Sequence, residues 1–424
     1  MSDEKIMILK MLKEGKISEE EAAKLLDALE YKNISKDFKE EKTNPQDNHE
    51  WEENFEAKMD KLGKKLENKF DKFGENFGEK MGKMGEDLSD GAGSLTDKIM
   101  DVVDSFMDKG GFTNILGNYE TKNESLEIDV NDIKNPVLDI KSINGNINLN
   151  PWSKDYIYVE AICYLKKNKI SPDQKIMELR KEDNKIILEP LFDSNIGVKL
   201  DISVPVKIYN EIKVITTNGK INIYDLKAEN ISSNTTNGSI NLNDLTATYT
   251  IDSVTKNGRI ILKDTKCNKI NAITKNASIQ VEDTVSDEGI LVSKNGKIIL
   301  KNNNLSKVDI STSNSPIKIE SSNISYLFAQ TSNGKLDVND LGVDLLKEIK
   351  LSTSNSGIYI NLSNFNKAYK IEATTTNSSI DLNLPQLVYD YNDKNKNIKA
   401  HKEGDYVDPI VFNLNTTNGS IKVG

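Results

Sequence analysis

The sequence predicts a mainly β chain: a single-chain β-solenoid of about 19–22 residues per rung, preceded by an N-terminal helical hairpin and an amphipathic helical linker. Three observations carry this. An Asn-centred motif returns ten times between residues 215 and 424 at a nearly fixed period. A short alternating apolar run follows each copy. The first 110 residues show helical periodicities instead.

Residues 1–31 read as the hairpin. Ile6, Leu9 and Leu12 share one helical face and Gly15 supplies the stop. Ser18 caps a second helix, and Glu21 completes a capping box before Ala22, Leu25, Leu26 and Leu29. Two helices of roughly ten residues bury too little apolar surface to stand alone, so self-association or docking on a protein partner is expected. Residues 32–50 are polar, contain Asn44-Pro45 and read as a flexible linker.

Residues 51–110 form the amphipathic segment. Its apolar stripe is Trp51, Phe55, Met59, Leu62, Leu66, Phe70, Phe73, Phe77, Met81, Met84 and Leu88, stepping by 4, 4 and 3 in an eleven-residue repeat. Three turns per eleven residues is close to the natural helix, so the stripe stays on one side. Lys58, Lys69 and Lys80 line one flank, while Glu56, Asp60, Glu67 and Asp71 line the other. Three uses fit: an anionic lipid surface, pairing with a second copy, or a cap on the solenoid. A shorter amphipathic helix over 96–107 places Ile99, Val102, Val103 and Phe106 together before Gly110-Gly111.

Residues 114–424 are the solenoid. Its first strands are less regular, with Asn144-Gly145 at a corner. The Asn column then runs Asn218, Asn237, Asn257, Asn276, Asn295, Asn314, Asn333, Asn355, Asn377 and Asn418, with spacings of 19, 20, 19, 19, 19, 19, 22, 22 and 41. About 19 residues suit two or three strands of about five residues per rung, and stacking at about 4.8 Å gives a rod roughly 50 Å long whose Asn amides can bond to one another. Asn followed by Gly argues a tight corner with positive φ. Asp225, Asp244, Asp264, Asp283 and Asp340 form a second column, interrupted by Asn302 and Ser321. Such carboxylates serve as turn residues or, less commonly, calcium ligands. The 41-residue gap leaves room for a polar, mobile loop over 390–404.

Composition excludes several classes. The net charge is −10, and residues 1–110 hold 28 acids against 19 lysines, so the solenoid is close to neutral. Only Arg180 and Arg259 are arginines, which argues against nucleic acid. Cys163 and Cys267 sit far apart in strand-like runs and imply no disulfide scaffold. No secretory signal or membrane span is visible, so a cytoplasmic or peripheral membrane location is expected. His49 and His401 have no metal-binding neighbour in sequence, and Trp152 is the only tryptophan after residue 110. Neither a catalytic site nor a cofactor or metal site is expected.

The hairpin stretch ILKMLKEGKISEEEAAKLLDAL (residues 8–29) resembles the SHOCT-like bihelical domain that opens the YvlB/LiaX-like proteins of Gram-positive bacteria. The solenoid resembles the adhesin-like domain of unknown function that follows it there. The most telling stretch is LDISVPVKIYNEIKVITTNGKINIYDL (residues 200–226), where Val-Pro precedes the first regular rung. This resemblance implies a cell-envelope role, in some members tied to responses against membrane-damaging antimicrobials, and leaves a cell-surface location open. It transfers no catalytic residue.

Overall fold

The computed structural model describes residues 119–424 apart from 172, 363–364 and 405–406, and every regular element there is a β-strand. The chain climbs in rungs of two unequal strands. Ile208–Thr216 has nine residues and lies in one sheet; after a four-residue turn, Ile221–Tyr224 has four and lies in the other. A two-residue corner then leads back to Lys227–Thr235, which completes the 19-residue period. A long and a short strand therefore replace the near-equal strands expected from the period alone.

Among the described residues, pairing that is parallel and in register except at the ends builds a 15-stranded long-strand sheet and a 14-stranded short-strand sheet. Ile221, Ile240, Ile260, Ile279, Ile298 and Ile317 lie side by side in the short-strand sheet. Because alternate side chains point to opposite faces, Ile221 and Ile223 both turn into the space between the sheets and are fully buried. Each such side chain contributes about 1.5–3 kcal/mol of transfer free energy, and the repeats sum it along the stack. The single spacing of 20 is a bulge. Thr246–Thr255 has ten residues, and its register shifts between Thr246 and Thr250.

The corners correct one expectation. In the Asn column and its foot, only Asn144 has positive φ (54°). The left-handed residues are instead Asp225 (47°), Asp244 (55°), Asp264 (50°), Asp283 (51°), Asn302 (56°), Ser321 (47°) and Asp340 (54°). Short polar side chains that bond locally tolerate this region, which explains why Asn and Ser interrupt the acidic column without breaking the corner. Asp264→Val should therefore cost about 1–2 kcal/mol or more, while Asp264→Gly should lie within about 1 kcal/mol of the parent. Urea denaturation followed by circular dichroism reads both. Equal losses would mean that the carboxylate, not the backbone angle, matters at this corner.

Neither end of the stack follows chain order. The last rung, Ile410–Thr416 with Ile421–Val423, sits between Glu348–Thr353 with Ile358–Asn361 and Tyr369–Thr375 with Ile380–Leu382. At the opposite end, Val137–Lys141 with Ile147–Trp152 sits inside Lys185–Pro190 with Ile196–Pro205. Counted along the short-strand sheet there are twelve rungs, so the stack is about 53 Å along its axis.

Antiparallel strands close the sheet edges. Tyr156–Lys166 pairs with Ile196–Pro205, and Tyr119–Asp129 lies beyond it. Met177–Glu182 covers Lys185–Pro190. Asn397–Lys402 covers Tyr369–Thr375, with Leu387–Asp393 outermost. The stretch expected to be a mobile loop is thus mostly a β-hairpin, held because Ile398, Ala400 and Lys402 alternate inward and bury themselves. Solenoid ends need such covers to avoid edge-to-edge association. At three of the four sheet edges, strands supply the cover.

Candidate functional site

The Asn residues meet in one line. Asn237 Nδ2 donates to Asn218 Oδ1 at 2.5 Å, and the pattern repeats through Asn257, Asn276, Asn295, Asn314, Asn333 and Asn355 at 2.6–2.8 Å. Asn418 then donates to Asn355 and Asn377 to Asn418, both at 2.7 Å. Chain order puts Asn377 before Asn418, but the inserted last rung reverses them in space. Asn218 donates to Asn144, so the line has a foot one rung below the ten residues named from the sequence.

Two residues before each Asn runs a hydroxyl column that the sequence reading passed over. Thr235 Oγ1 donates to Gly219 O at 2.9 Å, Thr255 to Gly238 O at 3.1 Å, and Thr274 to Gly258 O at 2.9 Å. Ser293, Thr312, Thr331, Thr353, Thr375 and Thr416 repeat the contact. Some of these hydroxyls also accept from their own turn, as Thr255 does from Gly258 N at 3.1 Å, so their one proton and one of their lone pairs are engaged within the stack. Thr/Ser-x-Asn at the same period was the available signal.

These turns pack closely. A Cβ on Gly258 would lie 1.6 Å from Gly238 O, and one on Gly238 1.7 Å from Gly219 O. Glycine is needed there for backbone approach, not for a left-handed angle. Ala277 and Ser315 hold the equivalent place in their own rungs, so the demand is set rung by rung.

The stripe from Trp51 to Leu88, with Lys58, Lys69 and Lys80, lies outside the described residues. Two features on the described surface could receive a ligand. One is an open groove of about 500 Å³ on the outer face of the short-strand sheet near its C-terminal end, lined by Lys335, Asp337, Tyr359, Asp381, Asn383 and Lys422 among others. Lys335 Nζ stands 4.1 Å over the Tyr359 ring and 2.9 Å from Asp337 Oδ2. Burial alone would raise the Asp337 carboxyl, but the Lys335 ammonium and the Asn339 amide hold it below the usual range. It therefore stays ionised near neutral pH and is unsuited to donating a proton.

The second feature is aromatic. Trp152 stacks on Tyr158 (5.8 Å, 20°), meets Tyr156 edge-on (4.8 Å), and carries Lys154 over its ring at 4.7 Å. The lone tryptophan thus has tyrosine company that residue counting did not show. His401 also has a neighbour unseen in sequence: Asp390 lies 2.9 Å away on the C-terminal hairpin. Among the described residues, no group of three or more His, Cys, Asp or Glu side chains is placed to hold a metal ion.

A family profile described as Toastrack DUF4097 matches residues 135–424, and one described as a SHOCT-like domain matches residues 3–32. No curated protein matches the chain. Two solved structures do. One, from Clostridium sporogenes, is provisionally described as a cell adhesion protein; it is 13% identical, with 72% of this chain and 99% of that chain covered and a TM-score of 0.18. The other, from Parabacteroides distasonis, is provisionally described as a lipid binding protein; it is 13% identical, with 72% and 97% covered and a TM-score of 0.28. Neither likeness bears on what this chain binds.

Proposed function

Since the chain belongs to the Toastrack DUF4097 family and carries a SHOCT-like domain at residues 3–32, we propose that it is a non-enzymatic binding protein of the cell envelope. In this reading the stripe over 51–88 holds an anionic membrane face, the N-terminal hairpin recruits a second copy or a protein partner, and the solenoid displays a rigid surface. Membrane damage would change occupancy of the stripe and so change what the solenoid presents. We place the protein at the cytoplasmic face of the membrane.

One observation supports display over chemistry. The repeated polar residues, Asn and Thr/Ser, spend their hydrogen bonds on neighbouring rungs, so repetition in this chain serves the stack. A catalytic constellation needs convergent groups with tuned protonation, and Asp337 in the groove is held ionised by its partners.

Flotation with phosphatidylglycerol vesicles tests the membrane reading. The full chain is expected to float, deletion of 51–88 to abolish it, and rising salt to weaken it because exposed charges are screened within about 8 Å at 0.15 M. A full chain that stays in the pellet at low salt removes this reading. Protease shaving of intact cells decides the side of the membrane.

A second reading, an extracellular binder of glycan or surface protein, draws on the Tyr359 groove and the Trp152 cluster. Aromatic faces beside paired polar groups suit sugar rings. Binding to wall polysaccharide by a chain that ignores vesicles would favour it.

A further inference from the structure

Seven Asn residues in this chain are followed directly by Gly: Asn144, Asn218, Asn237, Asn257, Asn295, Asn333 and Asn418. Such pairs are prone to lose the side-chain amide, because a glycine, lacking Cβ, leaves its backbone nitrogen open to approach the Asn Cγ. In five of the seven the stack opposes this. Gly238 N donates to Thr235 Oγ1 at 3.3 Å, Gly258 N to Thr255 Oγ1 at 3.1 Å, Gly296 N to Ser293 Oγ at 2.9 Å, Gly334 N to Thr331 Oγ1 at 3.1 Å and Gly419 N to Thr416 Oγ1 at 3.2 Å. Attack requires the N–H to lose its proton and the nitrogen to turn toward Cγ, and a hydrogen bond resists both. Gly145 N and Gly219 N make no hydrogen bond among the described residues.

Those two pairs differ in what surrounds the amide. Asn218 lies within the Asn line, donating to Asn144 and accepting from Asn237, and its Gly219 is buried. Asn144 ends the line, and its Gly145 is half-buried. The Asn144 Oδ1 takes two donors, Asn218 Nδ2 and Thr217 Oγ1, the latter at 3.3 Å. Thr217 Oγ1 also accepts from Asn144 N at 3.2 Å, which directs the hydroxyl proton to the amide oxygen. In the other six pairs the Asn side-chain oxygen takes one donor, the amide of the adjoining Asn. Two donors aimed at an oxygen that becomes negative lower the barrier to the tetrahedral intermediate, as in an oxyanion hole.

We propose that Asn144 is a built-in deamidation site, the one Asn-Gly pair that the folded stack leaves to react. Gly145 N passes its proton to water and its electron pair to Asn144 Cγ; the Cγ–Nδ2 bond breaks, and ammonia leaves with a proton returned from water. Water then opens the cyclic imide. Cleavage of the bond to Cγ restores the main chain and leaves aspartate, while cleavage of the bond to the main-chain carbonyl carbon of residue 144 gives isoaspartate. Aspartate suits this place, since it tolerates the left-handed angle at 144 (φ 54°) and still accepts from Asn218. Isoaspartate lengthens the main chain just where a Cβ on Gly145 would lie 2.0 Å from Val198 O. A folded molecule thus gains a carboxylate at the foot of the Asn line as it ages.

This chemistry draws on neither the membrane nor the glycan reading and stands or falls apart from both. The test holds the full folded chain in mildly alkaline buffer and follows each Asn-Gly peptide by mass spectrometry, with a urea-unfolded sample as reference. In the folded chain Asn144 is expected to convert about tenfold or more faster than Asn257 or Asn295, while in urea the sites convert at comparable rates. Thr217→Val, which removes one donor, should slow Asn144 several-fold and leave Asn257 unchanged. Should Thr217→Val loosen the stack, seen as a rise at Asn257, Asn218→Leu removes the other donor in its place. The proposal is overturned if Asn144 converts no faster than Asn257 in the folded chain, if Asn218 leads, or if removing a donor from a folded chain leaves the Asn144 rate unchanged.

Discussion

Ile298→Ala is expected to lower stability by about 3 kcal/mol, within the 2–5 kcal/mol typical of large-to-small changes at buried aliphatic positions. Ile298 is 0% exposed and pairs in register with Ile279 and Ile317. Its rung neighbours are held by backbone ladders on both sides, so they cannot collapse into the space. Asn295→Ala, three residues earlier, removes two ladder bonds (2.8 Å each) at an exposed turn and should cost only about 1–2 kcal/mol, since a net hydrogen bond contributes about 0.5–1.5 kcal/mol. Urea unfolding of both variants under one protocol decides the order. If the Asn change proves the costlier, the amide line rather than the apolar column holds the rungs together.

Asn303→Ala should cost about 2–4 kcal/mol, because truncation leaves buried polar groups without partners. Asn303 is 2% exposed. Its Oδ1 accepts from Thr284 N at 3.0 Å and its Nδ2 donates to Val281 O at 3.0 Å, tying its corner to the end of the short strand and the corner of the preceding rung. Asn303→Asp separates hydrogen bonding from volume. The carboxylate can still accept from Thr284 but is charged in a buried place, so its folded pKa should rise above its unfolded value. Stability would then be greatest below the unfolded pKa and fall as pH rises through the folded one, making the variant more stable near pH 4 than near pH 7 relative to the parent. A pH-independent difference between the two would show that this corner is wetter than its burial indicates.

Much of the fold was legible because its information is local. The 19-residue period, the alternation at Ile221-Asn222-Ile223 and the recurring Asn each lie within one rung, and a stack multiplies a local pattern without altering it. The hydroxyl column was equally local and could have been read from Thr or Ser two places before Asn. The surface features were less legible. Tyr359 and Lys335 are neighbours across two strands, as are Trp152 and Tyr158, and nothing in their spacing along the chain shows it.

The chain's own residues determined a parallel stack of rungs of about 19 residues with an Asn at each turn, because period two and period 19 leave a parallel stack no other register; the division of each rung into one long and one short strand came from the structure. Tertiary structure decided the rest. It placed the rung of Asn418 between those of Asn355 and Asn377 and folded 387–402 into the hairpin that closes an edge. Those outcomes depend on which backbone edge was still unpaired when each segment arrived, and an unpaired edge belongs to the assembled sheet rather than to any stretch of sequence.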